Sequence, residues 1–471
     1  MLAGNHVAEL FLDRTPPVLG PLPGVRAELP HLRWQPGTAR RLIWPVVVVL
    51  LLTQVTMAFA VVSPTAIELL VQLRRLTWLV VAIGVLSEVL AGDPSDLLGP
   101  LGAFVPFVAV ATVSALLSVE PVVGLAEIAL WLITMFAACL VGKALRGGNL
   151  PLVLAAWFMI ALLASIAIAV LRPRIGVVVD GRLAHGAWRG IFVNKNWLAW
   201  YAGFAVLLAA FGGSVRVVVR VGLCVTALVC LYHAHSAGTV LALAAVVSIL
   251  AMIAFWRWLG LSTGLQILAN CAVLGLVGTI ARGEYVVLLA AMGRNVTLTG
   301  RTSIWQAYFS RALDTWLFGA GPGSFTGLSL TTADVGLRFQ SLGRIFTPHN
   351  MAIAIFGETG LIGLVAYGGA IAAILINLIR HPDCRGRMLL LAFTLFFLVS
   401  GLDETHEVFG VGSGLFLIVL LRAWQWQELQ GPQLQGQELQ GPQLQGPQLQ
   451  VPGPRASGLA PIGGGPAHGS V

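Results

Sequence analysis

The residues best suited to chemistry lie in a polar segment, 282–349, within an otherwise apolar chain. The segment carries six arginines, a Gly-rich run and a Pro-His-Asn that opens the next apolar stretch. Arg301 precedes a run, Ile304 to Phe318, whose apolar residues recur at helical spacing and predict an amphipathic helix ending at Gly319. An arginine at a helix start sits beside free backbone N–H groups, and both bind anions. The segment therefore predicts a site for an anionic substrate.

His349 closes this segment at the start of an apolar span that Asn350 caps. The helix dipole disfavours an imidazolium there, and a neutral imidazole can act as a general base. The bland alternative is an interfacial histidine whose hydrogen bonds are satisfied. The corresponding alternative for Arg301 is a surface arginine at a helix end. For the run Gly319–Ser324 the alternative is a helix cap and turn with no ligand. That run lacks the Lys-Ser/Thr ending of a P-loop, so no nucleotide is expected.

A second polar segment, 184–202, places Arg189 and Lys195 beside the amides of Asn194 and Asn196. Cations with amide donors suit a phosphate held at headgroup depth. The alternative, charges that only set topology, would put these residues on the cytoplasmic side.

Three further features of the sequence bear on this chemistry. Glu358 lies two turns inside the span that follows His349, and an ionisable residue at that depth is a functional candidate. His233 and His235 do not share a helix face and no carboxylate follows at ligand spacing, so neither a metal nor another cofactor is expected. None of the five cysteines has CxxC spacing, so no disulfide or zinc site is expected.

The elements that position these residues are membrane helices. The chain is 57% hydrophobic and 10% charged, whereas soluble proteins are about 25% charged. We predict an all-α polytopic membrane protein of about twelve transmembrane helices, with a large extracytoplasmic loop, 282–349, between spans 9 and 10. The predicted spans are 42–62, 76–92, 98–118, 122–142, 149–171, 197–213, 215–234, 237–256, 263–281, 350–378, 387–402 and 408–424.

Lys and Arg residues in alternate short loops predict which side is cytoplasmic. Both termini then lie in the cytoplasm, and both polar segments face outward with the acidic cluster Asp403, Glu404 and Glu407. Segment 1–41 is a cytoplasmic N-terminal segment, 42–426 is the transmembrane domain, and 427–471 is a repeat tail too poor in apolar residues to fold. The net charge of +8 fits cytoplasmic loops and lipid headgroups, and no nucleic acid partner is expected.

The motifs resemble a known family. The segments WRGIFVNKN (188–196), Ser236 to Thr239, GRNVTLTGRTSIW (293–305), GAGPGSF (319–325) and HNMAIAIFGETGLIG (349–363) occur in the order seen in the O-antigen ligase/polymerase (Wzy-C) superfamily. The resemblance covers 188–363 and is closest to the exopolysaccharide-polymerase branch. The sequence departs from that branch at Asn194, where many members have His, and at Ser236–Thr239, where many have Arg.

The resemblance implies a GT-C-type glycosyltransferase of the plasma (inner) membrane, acting on the extracytoplasmic face without a metal. Its donor would be a polyprenyl-diphosphate-linked glycan, and its acceptor a hydroxyl of a glycan, lipid or protein. Arg189 and Arg301 would bind the diphosphate and His349 would serve the acceptor. Lys195, Asn196, Asn350, Glu358 and Trp305 are the further substrate-binding candidates. Glu358 or Glu404 is a candidate to orient His349 or a sugar hydroxyl.

The main alternative is a flippase or other transporter of lipid-linked oligosaccharides. Transporters tend to carry internal repeats and charged or broken helices at mid-membrane. Here the polar residues cluster in outward loops, and no two-fold repeat is evident. A structural scaffold would not need Arg and His on three separate loops.

Overall fold

The computed structural model describes residues 95–146, 150–179, 185–262, 301–326, 329–338, 347–381, 386–405 and 413–426, with parts of 72–90 and 264–275. The chain divides into two compact units, 1–43 and 44–471, and every described residue belongs to the second. The predicted cytoplasmic segment 1–41 and the tail 427–471 lie outside the described residues, as does the part 282–300 of the predicted loop 282–349.

The described residues are helical apart from turns and an antiparallel β-bridge between Val177 and Trp188. The helices are α1 (Ser95–Leu101), α2 (Val105–Leu117, after a 3-10 turn at Gly102–Phe104), α3 (Pro121–Ala144), α4 (Leu150–Leu171), α5 (Pro173–Gly176), α6 (Lys195–Phe211), α7 (Val217–Ala234), α8 (Ala237–Trp258), α9 (Arg301–Leu313), α10 (Leu330–Arg338), α11 (Met351–Arg380), α12 (Arg387–Gly401) and α13 (Ser413–Trp424).

Six described helices are long and apolar enough to cross a membrane. They are Leu98–Leu117, which joins the end of α1 to α2, and α3, α4, α7, α8 and α11. Two shorter apolar helices, α12 and Gly414–Trp424 of α13, follow. The prediction of an all-helical membrane protein is thus confirmed. The number twelve is not, because the span at 42–62 lies outside the described residues and those at 76–92 and 263–281 are only partly described.

The helices pack against one another both between neighbours along the chain and between distant segments. Helix α6 packs on α7, α3 on α13, α2 on α11, and α8 on α12. Aromatic side chains fill the contacts edge to face: Phe107 meets Trp131 of α3 and Tyr367 of α11, at ring-centroid distances of 6.2 and 5.1 Å. This core fixes the helix ends that carry the polar residues.

Helix α9 lies against α11 as a separate apolar cluster. Ile304, Tyr308 and Ala312 are buried, as their spacing predicts. Burial raises the pKa of the Tyr308 phenol above its ordinary value. The predicted helix to Phe318 is too long, because α9 ends at Leu313 and the chain turns.

Helix α9 ends early because of a kink in α11. That helix is kinked at Gly360, whose φ of 69° and ψ of −172° are accessible essentially to glycine only. The kink frees the N–H groups of Leu361 and Ile362, which donate to the carbonyls of Trp316 and Leu317 at 2.8 and 3.4 Å. The stretch after α9 therefore bonds to α11 instead of continuing its own helix.

Candidate functional site

A carboxylate, Glu404, lies at the centre of the polar cluster that faces one end of the bundle. Helix α12 ends at Gly401, and the turn that follows presents Asp403 and Glu404. The two oxygens of Glu404 accept from side chains of three different helices or helix starts: Arg301, His349 and Asn196. The Glu404 side chain is 22% exposed, so these bonds form at a partly dehydrated site.

Arg301 is the first residue of α9, at the helix start as expected. Its Nη2 donates to Oε1 of Glu404 at 2.8 Å, and its Nη1 contacts both the carbonyl oxygen and Oδ1 of Asp403. The guanidinium is 17% exposed. It is therefore held in one orientation by two carboxylates, with its fork directed into the cluster.

His349 is held in an unusual conformation. Its φ is 50°, a left-handed value that is uncommon for a residue other than glycine and costs about 1–3 kcal/mol. Its Nδ1 lies 3.0 Å from Oε2 of Glu404. Since an ionised carboxylate only accepts, Nδ1 carries the hydrogen and Nε2 is left as the basic nitrogen. The ring, 34% exposed, can thus receive a proton at Nε2.

Trp305 and Asn350 hold His349 in place. The indole N–H of Trp305 donates to the carbonyl of His349 at 3.3 Å. Oδ1 of Asn350 accepts from Ile353 N at 3.0 Å and so caps α11, while its Nδ2 donates to the carbonyl of Leu402 and its backbone N–H to Thr405. The side-chain amide and backbone N–H of Asn350 are thus engaged with the protein, and its role as a substrate-binding residue stays a prediction.

Lys195 and Asn196 begin α6, which Asn194 caps through Trp197 N at 3.0 Å. Nδ2 of Asn196 donates to Glu404, and its Oδ1 accepts from Ser236 Oγ at 3.3 Å. Nζ of Lys195 donates to the carbonyl of His235 at 3.0 Å. The start of α6 is thereby bonded both to the α7–α8 junction and to the acidic turn.

Arg189 lies in the neighbouring loop, and among the described residues it makes no hydrogen bond or ion pair with Arg301 or His349. Its Nε donates to the carbonyl of Ile175 at 2.6 Å. The adjacent Trp188 stacks on His233 with ring centroids 3.9 Å apart, and its N–H donates to the carbonyl of His233 at 2.9 Å. Arg189 is therefore anchored to α5, while its neighbour Trp188 contacts the end of α7, next to the α7–α8 junction that Lys195 contacts.

A small cleft opens beside the acidic turn. Helix starts of α6 and α8 and the end of α12 form its walls. It is lined by Asn196, Trp197, Trp200, Gly238, Thr239, Ser400, Asp403, Glu404 and Thr405. Asp403 packs so closely on Gly238 that a side chain at position 238 would collide with its carboxylate. The cleft joins two indole rings with carboxylate, amide and hydroxyl groups, a combination suited to a polyhydroxylated ligand.

Glu358 does not reach this cleft. It is 0% exposed, and its Oε1 accepts from Thr326 Oγ1 at 2.8 Å and from Phe325 N at 3.3 Å. Its backbone carbonyl accepts from Ser114 Oγ at 2.6 Å and Gly321 N at 3.0 Å. Glu358 thus binds the Gly-rich run to the kink in α11. The protein's own chain thus buries Glu358 apart from the cleft, and its role as a substrate-binding residue stays a prediction.

The sequence gave only a weak indication that Asp403 belongs to the site. Its signal was an acidic cluster at the outward end of an apolar helix, and Glu404 was only one of two candidates to orient His349. Gly238 of the Ser236–Thr239 motif carried no assigned role. The structure shows why this motif is small: its glycine lets Asp403 approach α8 while Asp403 holds Arg301.

Comparison with known proteins supports the resemblance. Residues 222–368 match the Wzy_C family, described as O-antigen ligase. The chain is also 33% identical over 195 residues to the exopolysaccharide production protein ExoQ of Rhizobium meliloti (strain 1021), covering 37% of this chain and 43% of that protein. The match thus spans less than half of the relative's length. The family segment includes Arg301 and His349 and leaves Arg189, Asn196 and Glu404 outside, and over it the resemblance to the O-antigen ligase/polymerase family is confirmed.

Proposed function

We propose that this chain, similar over 222–368 to the O-antigen ligase/polymerase family, is a membrane glycosyltransferase. It would transfer a glycan from a polyprenyl-diphosphate carrier to an acceptor hydroxyl. The observation that carries the proposal is the bridge that Glu404 makes between Arg301 and His349, at 2.8 and 3.0 Å. The bridge thus links the Arg301 guanidinium, which can bind a leaving anion, to the His349 imidazole, which can accept a proton.

The proton transfer follows from the tautomer. Glu404 holds the hydrogen on Nδ1 of His349, so Nε2 accepts the proton of the acceptor hydroxyl as its oxygen bonds to the anomeric carbon. The bond from that carbon to the diphosphate oxygen breaks at the same time. Glu404 then stabilises the imidazolium, as a carboxylate beside an imidazole base does. Attack from the face opposite the leaving group inverts the anomeric centre.

The leaving diphosphate gains negative charge, and the Arg301 guanidinium is the group that binds and stabilises it. To do so the Arg301 fork exchanges contacts with Asp403 for phosphate oxygens. Arg189, bonded to α5, and Lys195, bonded to the α7–α8 junction, extend the positive charge toward the lipid-proximal phosphate. Arginines in this role make a divalent metal unnecessary in the proposed reaction.

The proposal places the chemistry on the extracytoplasmic face of the plasma membrane. The site lies where α4, α7 and α12 end, and the opposite ends of α3, α7 and α8 carry Lys143, Arg216, Arg220 and Arg257. Clusters of Lys and Arg mark the cytoplasmic side. The donor tail would then lie in the bilayer with its diphosphate at the outer surface.

The deciding experiment mixes the purified full chain in lipid with polyprenyl-diphosphate glycan and glycan acceptor, without ATP and with EDTA. New glycosidic linkages, lost in His349→Ala and in Arg301→Ala while both variants still insert, support the proposal. Movement of the lipid-linked glycan between leaflets without a new linkage would favour a flippase instead. Wild-type turnover by either variant would reject the assigned roles.

A further inference from the structure

A second cluster of polar groups lies at the other end of the bundle, where α13 ends. Arg422 is 4% exposed and Gln425 is 1% exposed. Within the described part of the chain, Nε and Nη1 of Arg422 and both amide atoms of Gln425 have no hydrogen-bond partner. The indole N–H of Trp426 is likewise buried without an acceptor. Residues 422, 425 and 426 share one helix face, so these groups belong to one corner.

The end of α3 forms the other wall of this corner. Nε of Arg146 donates to the carbonyl of Ala423 at 3.3 Å, and the Trp424 indole donates to the carbonyl of Leu145 at 3.1 Å. The centroid of the Trp426 ring lies 5.5 Å from the guanidinium carbon of Arg422. The ring face stabilises the positive charge of Arg422 but accepts no hydrogen bond from its in-plane N–H groups. Two guanidinium groups are thus held where α3 and α13 meet.

Four of the five unpaired side-chain atoms of these three residues are donors: Nε and Nη1 of Arg422, Nε2 of Gln425 and Nε1 of Trp426. The Arg422 guanidinium carries the charge among them. A buried charge without a counterion is costly, and buried donors without acceptors in a folded protein mark the place of a water, ion or ligand. The required ligand is an anion with several acceptor oxygens, for which phosphate suits arginine best.

The position of the corner points to the source of the phosphate. Helix α12 has 15 residues, about 22 Å at 1.5 Å per residue, and separates this corner at its start from the acidic turn at its end. The corner is thus on the opposite face, at the end of two apolar helices with two tryptophans. Basic pockets between membrane helices on the cytoplasmic side bind anionic headgroups.

We infer that the α3–α13 corner binds the phosphate of an anionic phospholipid through Arg146, Arg422 and Gln425. A soluble phosphate shares this chemistry, and the lipid is favoured because the corner lies at headgroup depth. The site is independent of the glycan-transfer site, so it stands or falls separately from the proposed function.

The test measures lipid binding by the purified full chain with native mass spectrometry and thermal unfolding. Phosphatidylglycerol should bind and raise the unfolding temperature, whereas zwitterionic phosphatidylcholine should not. Arg422→Gln and Arg146→Gln should each weaken phosphatidylglycerol binding about tenfold, the loss of roughly one charge-assisted bond. Arg257→Gln, which removes an exposed arginine from the same end of the bundle, is the matched control and should bind as wild type.

Arg146→Gln keeps the test decisive if Arg422→Gln fails to fold, because Arg146 is only partly buried. Equal binding of both lipids by the wild type, or equal loss in Arg257→Gln, would overturn the inference. Stabilisation by inorganic phosphate but not by phosphatidylglycerol would support the anion site and reject the lipid as its source.

Discussion

Replacing Glu404 with glutamine is the sharpest test of the site, since it changes charge and hydrogen-bonding pattern with little change in volume. Glu404 accepts from Arg301 at 2.8 Å and from His349 Nδ1 at 3.0 Å, on different oxygens. Glutamine has one acceptor oxygen and one donor NH₂. It can serve only one of these two donors, and its NH₂ then faces the other.

The magnitude follows from the bond that the imidazolium loses. A hydrogen bond to a charged group contributes about 1.5–3 kcal/mol net, and 1.4 kcal/mol is a factor of ten. If the amide NH₂ faces His349, the ring also takes the tautomer with hydrogen on Nε2, which is no longer a base. We therefore expect kcat to fall about 10–150-fold from the lost bond alone, and further from the wrong tautomer.

The assay is glycan transfer by the purified variant in lipid, with kcat and KM measured separately for donor and acceptor. Thermal unfolding checks that the variant remains folded. The matched control is Asp334→Asn, which removes a carboxylate from the exposed pair with Arg311 at 2.9 Å and should leave kcat unchanged. A wild-type kcat in folded Glu404→Gln would refute the reasoning that Glu404 orients His349.

The remaining predictions concern charge geometry, backbone and metal. Arg301→Lys keeps the charge but loses the two-pronged fork, so transfer should drop about 10–150-fold by the same bond arithmetic, measured as kcat/KM for the donor; unchanged kcat/KM would contradict the bidentate role. Gly360→Ala should destabilise the protein by about 3 kcal/mol or more in thermal unfolding, because its conformation admits only glycine and its Cβ would overlap the Leu317 carbonyl. Gly368→Ala, at an open helical position, is its control. Transfer should persist in EDTA, and loss of activity that Mg²⁺ restores would refute a metal-free reaction.

Much of the helical framework could be predicted because long apolar runs have one stable form in a bilayer. The runs 122–142 and 350–378 are the helices Pro121–Ala144 and Met351–Arg380 in the structure. Helix starts could be predicted as well, because an arginine or asparagine just before a periodic segment indicates where the free N–H groups of a helix begin. That placed Arg301 at the start of α9 and Asn350 as the cap of α11.

The end of α9 shows where local pattern fails. Apolar spacing continues through Trp316, yet the helix ends at Leu313. The chain leaves the helix because the kink at Gly360 offers N–H donors from a segment more than forty residues away. A local sequence window contains no information about that competing partner.

The sequence alone determined that this chain is a helical membrane protein with arginine and histidine at the mouths of its helices, because hydropathy and capping are local properties. Only the tertiary structure decided which carboxylate serves them. Glu358 and Glu404 were equal candidates, but Glu358 is turned into the Gly-rich run, and Glu404 lies between Arg301 and His349, 103 and 55 residues away along the chain. Such contacts depend on how α9, α11 and α12 pack, and packing is set by the shape of the whole core.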